Sequence, residues 1–172
     1  REMIDRNPGT KFSMIRFDID SFNRVNSFWG EKEGDKLLKF ITGLIRKAMD
    51  AQPVCTYGRI NSDIFCFCMP SDEKNITGII EDIKSQLSSY NDSFYVKPSF
   101  GIYEITKPQY SIEAMYDRAT IAAQKCKGKY NLYVGTYDNG IYDQRVRERE
   151  IENEMQKALE EEQFKVYLQP KY

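Results

Sequence analysis

The chain has 172 residues, of which 41% are apolar and 30% are charged, and its formal net charge is only -1. This composition is typical of a soluble globular protein and excludes general disorder, and the near-neutral charge gives no electrostatic basis for nucleic-acid binding. The sequence contains no histidine, which excludes histidine-based nucleophile pairs and the usual zinc sites and leaves carboxylates, lysines and a hard metal ion.

The spacing of apolar residues predicts strands that alternate with helices as far as residue 137. In chain order, these are a strand at 11–19, helices at 20–29 and 31–50, strands at 54–60 and 63–69, a helix at 73–89, a strand at 94–105, a helix at 111–127 and a strand at 131–137. Pro98 and Gly101 interrupt the strand pattern and predict a bulge. The order βααββαβαβ predicts an α/β fold with a mixed central sheet flanked by helices.

The character of the sequence changes after residue 140. Residues 141–163 are dense in charges of both signs with a thin apolar stripe, which predicts a solvated connecting helix at the C-terminal end. Residues 164–172 then have the pattern of a strand, which we expect to be the first element of a second, truncated domain.

Carboxylates follow the first predicted strand in the segment FDIDSFNRVN. Asp18 and Asp20 lie where the buried strand gives way to a helix, and Asp63 lies in the tip between the next two strands. Because ligands of open α/β sheets sit outside the carboxyl ends of strands, these carboxylates are candidates for binding Mg²⁺ together with phosphate oxygens. The same acids also fit helix caps or surface charges, and their spacing alone leaves both interpretations open.

Two further groups of residues suit a nucleotide. Asn26 can donate to and accept from a base edge, and Asp35 can accept from the amide and amino protons that guanine presents. Lys125, Lys127 and Lys129 form a cluster of point charges that suits a triphosphate. Ordinary turn and cap positions explain Asn26 and Asp35 equally well, and lysines collect at helix C-termini in any case.

Ordered motifs place these residues in a family. FDIDSFNRVNSFWGEKEGDKLL closely resembles the first signature of GGDEF domains, which have the diguanylate cyclase fold. GRINSDIFCFCMP stands where that family has RYGGDEF and a strand, KPSFGIYEI resembles its next strand, and MYDRATIAAQKCKGKYN resembles its last helix. The resemblance covers residues 11–138, although the usual opening motif of the family is missing from the N-terminus. The tail ALEEEQFKVYLQPKY resembles the opening of an EAL domain, the cyclic-di-GMP phosphodiesterase fold.

The resemblance implies a nucleotidyl-cyclase-like fold and divides the chain into three parts. Residues 1–140 form a degenerate GGDEF domain, 141–163 the connecting helix, and 164–172 the truncated start of an EAL domain. It also implies roles for the candidate residues and a cofactor, Mg²⁺. The implied roles are metal binding by Asp18, the Ile19 carbonyl and Asp63, guanine recognition by Asn26 and Asp35, and phosphate contact by Lys127 and Lys129.

The signature loop of this chain departs from the family pattern. Asn61 and Ser62 replace the two glycines and Ile64 replaces an acid, whereas Asp63 and Phe65 keep the family residues. Glycines there let the backbone approach phosphates and adopt left-handed conformations, which Asn61 tolerates better than Ser62 does. The altered loop therefore predicts a domain without catalytic residues.

Together these features predict a catalytically inactive GGDEF domain that binds GTP or another guanine nucleotide with Mg²⁺ and regulates an attached EAL phosphodiesterase. Two alternatives stay open, which are a weakly active diguanylate cyclase and a structural or dimerisation module that binds no nucleotide. The expected partners are the nucleotide, the EAL domain and a second copy of this chain, with no nucleic acid. No apolar run reaches the ~20 residues that span a bilayer, so we expect this fragment to be cytoplasmic and free of membrane contact, even if its parent is membrane-anchored.

Overall fold

The structure, a computed structural model, divides the chain into two compact units, Arg1–Tyr137 and Asp138–Tyr172. The residues that it describes are 1–91, 94–106, 110–138, 148, 151, 152, 154, 155, 157–161 and 163. Within the predicted connecting helix, residues 148, 151, 152, 154, 155 and 157–160 are helical. The predicted EAL strand at 164–172 lies outside the described residues.

The first unit contains every helix and strand predicted up to residue 137, in the predicted order. The elements are α1 (Glu2–Asp5), β1 (Phe12–Ile19), α2 (Phe22–Trp29), α3 (Glu31–Asp50), β2 (Thr56–Asn61), β3 (Ile64–Pro70), α4 (Glu73–Ser88), β4 (Pro98–Glu104), α5 (Ile112–Gln124) and β5 (Val134–Thr136). Only the short helix α1 was not predicted by the sequence pattern. Among the described residues, no helix combines the length and the apolar character needed to cross a bilayer.

The five strands form one mixed sheet in the order β2-β3-β1-β4-β5, which confirms the predicted α/β fold class. Strand β1 lies in the centre and pairs antiparallel with both β3 and β4, while β4 and β5 are parallel. All eight residues of β1 are buried, as expected for a strand that is covered on both faces of the sheet.

Alternation along β1 divides the core into two layers. Ile15, Phe17 and Ile19 point into the larger cluster, which they share with apolar residues of α2, α3 and α4. Phe12 and Met14 point the other way, into a cluster with residues of α1 and α5. The sheet is therefore sandwiched between two helical layers, and each residue near the end of β1 belongs to one layer or the other.

Helix α5 packs closer to the sheet than an ordinary side-chain layer allows. A Cβ at Gly101 of β4 would lie 1.9 Å from the Ala119 carbonyl oxygen, and one at Gly135 of β5 would lie 2.0 Å from the Ala122 carbonyl oxygen. Backbone therefore meets backbone at both glycines. This close approach determines the distance between α5 and the sheet. It therefore also determines the position of the turn that follows α5.

The predicted bulge at Pro98 or Gly101 is wrong. The pairing between β1 and β4 runs without a shift from Ser13 opposite Glu104 to Ile19 opposite Pro98. Pro98 is the first residue of β4, where the missing N–H is tolerated, and Gly101 serves the contact with α5. The irregularity in the sheet lies instead in β2, between Arg59 and Asn61.

We expect Gly101→Ala to destabilise the protein by at least about 2 kcal/mol, because the new methyl group would overlap backbone atoms of α5 that cannot move independently. Urea unfolding followed by circular dichroism measures the change. Gly43→Ala is the matched control, since nothing lies within 4 Å of its Cβ position on the exposed face of α3. That variant should gain roughly 0.5–1 kcal/mol from helix propensity, and an equal response of the two variants would contradict the close contact.

Candidate functional site

A buried carboxylate lies at the centre of the candidate site. Asp18 is the second-last residue of β1 and lies on the face of the sheet that α5 covers. Its side chain is only 2% exposed. Its Oδ2 accepts hydrogen bonds from Arg16 Nη1 at 2.6 Å and from Lys127 Nζ at 2.9 Å. Because an unpaired buried carboxylate is strongly destabilising, these two cations are what allows the charge to remain inside the protein.

The second carboxylate of the predicted metal site reaches the same end of β1 from the hairpin tip. Oδ2 of Asp63, in the turn between β2 and β3, accepts a hydrogen bond from the Ile19 backbone N–H at 3.0 Å. Since Ile19 follows Asp18 directly, the tip of the hairpin is fastened beside the buried carboxylate. The structure thus brings together the three residues that the sequence assigned to metal binding.

The loop between β2 and β3 forms a tight turn. Ser62 has a positive φ of 43°, so the left-handed residue is Ser62, although Asn61 would tolerate this conformation better. Arg59 Nε donates to the Ser62 carbonyl oxygen and braces the turn. Ile64 is half-buried and begins β3 opposite Asn61. A left-handed conformation at position 62 explains why glycine suits it, because a residue with a Cβ is strained there.

The predicted guanine-recognising residues are neighbours at the junction of α2 and α3. Asn26 is half-buried near the end of α2, and Asp35 is exposed in the second turn of α3. Gly34 makes the approach possible, since a Cβ there would lie 1.9 Å from Asn26 Oδ1. Gly30, with a φ of 87°, turns the chain between the two helices. The Asn26 amide therefore lies against the first turn of α3, and Asp35 is the residue that follows Gly34 in that helix.

The three lysines after α5 point in different directions. Lys127 reaches Asp18, whereas Lys125 Nζ donates to the Thr136 carbonyl oxygen at 3.2 Å. Lys129 is exposed, and its backbone N–H donates to the Cys126 carbonyl oxygen in a turn that Gly128 closes with a φ of 70°. Of the predicted phosphate-binding pair, Lys127 lies in the site and Lys129 lies at its exposed margin.

A second ion pair borders the site. Lys97 Nζ lies 3.1 Å from Asp20 Oδ2, and it also donates to the Cys126 carbonyl oxygen at 2.9 Å. Burial alone would raise the pKa of Asp20, but the hydrogen bond and charge of Lys97 outweigh burial, and the pKa is lowered from its ordinary value of 3.8. Asp20 is therefore paired within the protein, and through Lys97 it connects the end of β1 to the turn after α5.

The donor atoms present fit a hard divalent cation. Asp18 Oδ1 is buried and has no hydrogen-bond partner within the described part of the chain, which leaves one carboxylate oxygen unused. Asp63 and the Ile19 carbonyl add oxygen donors of the kind that Mg²⁺ prefers. No group of three or more acidic or thiol side chains able to hold a metal occurs among the described residues, so the remaining ligands would have to come from phosphate and water.

Reasoning from the sequence missed Arg16 and Lys97. The signal for Arg16 was available, because a charged residue in the middle of the buried strand FSMIRFDI must have a partner on its own face, two residues away. Lys97 gave no comparable signal, since it lies in an irregular segment just before β4 and meets Asp20 only through the fold.

A cavity of about 460 Å³ opens beside this site. Asp20 and Lys97 line one end of it, and the side chains that line the rest include aromatic ones, Phe28, Trp29, Phe94 and Tyr95. The rings of Trp29 and Phe94 pack with centroids 4.4 Å apart. The predicted guanine-recognising residues do not line this cavity.

Comparison with known proteins places this arrangement in a family context. Residues 2–131 match the family described as "Diguanylate cyclase, GGDEF domain", which confirms the resemblance seen in the motifs and includes the N-terminus, where the usual opening motif is missing. The chain is 21% identical over 167 residues to the cyclic di-GMP phosphodiesterase NbdA of Pseudomonas aeruginosa. That match covers 94% of this chain but only 21% of NbdA, so the chain spans about a fifth of the length of that relative.

Solved structures share the fold. The coiled coil and GGDEF domain of DgcB from Caulobacter crescentus, in complex with c-di-GMP, aligns with a TM-score of 0.67 at 23% identity, covering 78% of this chain and 75% of that one. The active GGEEF domain of a diguanylate cyclase from Vibrio cholerae aligns with a TM-score of 0.68 at 20% identity, covering 81% and 92%. At these identities the likeness concerns the fold alone.

We expect Asp20→Asn to reveal the Asp20–Lys97 pair through its pH dependence. Because the pKa of Asp20 is lowered in the folded protein, the pair stabilises fully above about pH 5 and loses this contribution as the pH falls through the lowered pKa. The variant should lose about 1 kcal/mol of unfolding free energy near neutral pH, measured by urea unfolding, with a deficit that shrinks below about pH 4. A deficit that stays constant down to about pH 2.5 would contradict a role for the charge.

Proposed function

The chain belongs to the GGDEF family of diguanylate cyclase domains, and from that premise we propose that it binds a guanine nucleotide with Mg²⁺ without converting it. The observation that carries the proposal is the convergence at the end of β1, where Lys127 and Asp63 meet Asp18 and its neighbour Ile19 although the loop has lost its glycines. The groups that would bind metal and phosphate have stayed together while the loop that serves the reaction has changed.

The proposed nucleotide would lie between two groups of residues. The Asp35 carboxylate accepts from the amide and amino protons of guanine, and the Asn26 amide supplies a donor and an acceptor beside it. Gly34 supports this role, because its lack of a side chain lets α3 approach Asn26 next to Asp35 in the sequence. Lys127 supplies a mobile positive charge for the phosphates, since its side chain is 43% exposed.

Asp18 Oδ1, the Ile19 carbonyl and Asp63 would hold the metal ion. When bound, Mg²⁺ would neutralise phosphate charge, which lets a triphosphate sit beside two carboxylates. Asp63 is kept in place by the hydrogen bond that it accepts from the Ile19 N–H, and Asp18 by the hydrogen bonds that it accepts from Arg16 and Lys127. The carboxylates are therefore oriented before any ligand arrives, which reduces the entropic cost of binding.

The same loop supports the absence of catalysis. In the family reaction two GTP molecules on two domains attack each other, each 3′-hydroxyl displacing pyrophosphate from the other's α-phosphate, and this depends on accurate positioning. Here Ser62 holds a left-handed conformation with a Cβ, and half-buried Ile64 stands where the family has an acid. Both changes affect the segment that must let phosphate approach the backbone.

We further propose that nucleotide binding regulates an EAL phosphodiesterase attached through residues 141–163. The tail motif and the match to the phosphodiesterase NbdA support an EAL neighbour. A homodimer of the parent chain is part of this proposal, because the family places its two reacting nucleotides on two domains.

One observation favours the structural or dimerisation module as a second candidate. Asp18 is already neutralised by Arg16 and Lys127, so the buried cluster is electrostatically complete without a ligand. A domain that binds no nucleotide would keep the same cluster for stability alone.

Calorimetric titration with GTP and Mg²⁺ is the direct test. We expect dissociation constants of about 1–100 µM, and Asp35→Asn should weaken GTP at least about tenfold because it loses the charged acceptor for guanine. ATP should bind at least about tenfold more weakly than GTP, because adenine does not present the paired amide and amino protons that Asp35 would accept.

Asp117→Asn is the matched control, since Asp117 is an exposed aspartate on α5. It should bind GTP as the wild type does. Absence of heat with folded wild-type protein, or equal affinity for GTP and ATP, would reject the nucleotide-binding proposal and favour the structural module.

We also expect purified protein to form no cyclic di-GMP from GTP and Mg²⁺ during prolonged incubation, measured by chromatography beside an active diguanylate cyclase. The reason is the Cβ and the lost acid in the signature loop. Product that accumulates with time and protein concentration would establish the weakly active cyclase instead.

A further inference from the structure

Arg16 is a cation built into the metal-binding end of β1. It lies two residues before Asp18, and both side chains point to the α5 face, as the strand periodicity requires. The Arg16 side chain is 8% exposed and donates from Nη1 to Asp18 Oδ2 at 2.6 Å. Its Nε donates to the Tyr116 hydroxyl of α5 at 3.4 Å, so the guanidinium is held from both sides.

The charge of Arg16 is permanent. Burial alone would lower its pKa, but Asp18 and the Tyr116 hydroxyl outweigh burial, and the pKa is raised above its ordinary value. A guanidinium does not lose its proton in proteins, and a buried side chain has little room to withdraw. Arg16 is therefore a fixed positive charge in contact with the carboxylate that would bind the metal.

Lys127 differs from Arg16 in its freedom. Its Nζ contacts the same Asp18 Oδ2 at 2.9 Å, but its side chain is 43% exposed and stands on a flexible stem. Lys127 can leave Asp18 for a phosphate, whereas Arg16 stays. Because two positive charges already contact one oxygen of Asp18, they repel a metal cation that approaches the carboxylate. This repulsion is strong in a site that is largely shielded from water.

We propose, as an extension that rests on the nucleotide binding proposed above, that Arg16 sets the metal requirement of this site. In the absence of nucleotide, Arg16 and Lys127 keep divalent cations away from Asp18. The metal binds together with the phosphates, which draw Lys127 away from Asp18 and add the negative charge that offsets Arg16. Arg16 is thus a specificity-determining residue that makes metal binding conditional on the nucleotide.

Manganese titration of the nucleotide-free chain, residues 1–172, tests the role of Arg16 without using GTP. Electron paramagnetic resonance reports free Mn²⁺ directly. We expect Arg16→Met to bind Mn²⁺ at least about tenfold more tightly than wild type, because one of two repelling charges is removed while the carboxylate stays. Arg24→Met is the matched control, an exposed arginine on α2 that contacts neither carboxylate, and it should bind as the wild type does.

Lys127→Met covers the case in which Arg16→Met does not fold. Its side chain is partly exposed, so the variant should fold, and it should also bind Mn²⁺ several-fold more tightly than wild type. Adding Asp18→Asn to whichever variant binds should abolish the gain and so assign the ion to Asp18. A folded Arg16→Met with wild-type Mn²⁺ affinity would overturn the proposal, as would Lys127→Met with wild-type affinity if Arg16→Met does not fold.

The two proposals fail separately. If GTP does not bind but Arg16→Met gains Mn²⁺ affinity, the proposed function falls and the control of the metal by Arg16 stands. If GTP binds with a dissociation constant that does not change between Mg²⁺ and excess chelator, the link between metal and nucleotide falls. Wild type that binds Mn²⁺ without nucleotide as tightly as Arg16→Met does would also overturn the role of Arg16.

Discussion

The buried charge of Asp18 is the constraint on which the site and its surroundings depend. A carboxylate that is 2% exposed needs partners of opposite charge, since desolvation would otherwise drive it to lose its charge or unfold the strand. Arg16 supplies one partner from the same strand and Lys127 the other from the turn after α5. The carboxylate therefore ties the central strand to the turn that follows α5, and its Oδ1 has no hydrogen-bond partner among the described residues.

Meeting this constraint requires backbone contacts far from the charge. Lys127 reaches Asp18 because α5 lies directly on β4 and β5, which the absence of a side chain at Gly101 and Gly135 permits. Lys97, which pairs with Asp20, also donates to the Cys126 carbonyl oxygen and so holds the turn that carries Lys127. On the hairpin side, Asp63 is bonded to the Ile19 N–H. The packing of α5 on the sheet and the ion pairs of Asp18 and Asp20 thus depend on each other. A substitution that shifts α5 would also shift the cations that pair with these carboxylates.

This arrangement separates binding from reaction. Most of the residues proposed to hold nucleotide and metal lie on helices and on the central strand, where packing against the core fixes their positions. Their arrangement therefore does not depend on whether the domain is catalytic. The turn at 61–64, where the sequence differs from the signature that it resembles, is exposed or half-buried and tolerates change. Internal neutralisation of Asp18 by Arg16 and Lys127 lets the domain remain folded without a ligand.

The sequence by itself determined the order of strands and helices, the covered central strand and the identity of Asp18, Asn26, Asp35, Asp63 and Lys127 as candidate residues, because apolar periodicity and local motifs are short-range properties. It did not determine which lysine enters the site, which loop residue takes the left-handed conformation, or that Lys97 pairs with Asp20. It also gave the wrong reason for Gly101, which serves helix packing and not a bulge. The contacts of Lys127 with Asp18 and of Lys97 with Asp20 join residues that are 109 and 77 positions apart in the chain, and only the packing of the helices and strands brings them together. The conformation of Ser62 depends on the geometry of the turn that joins β2 and β3.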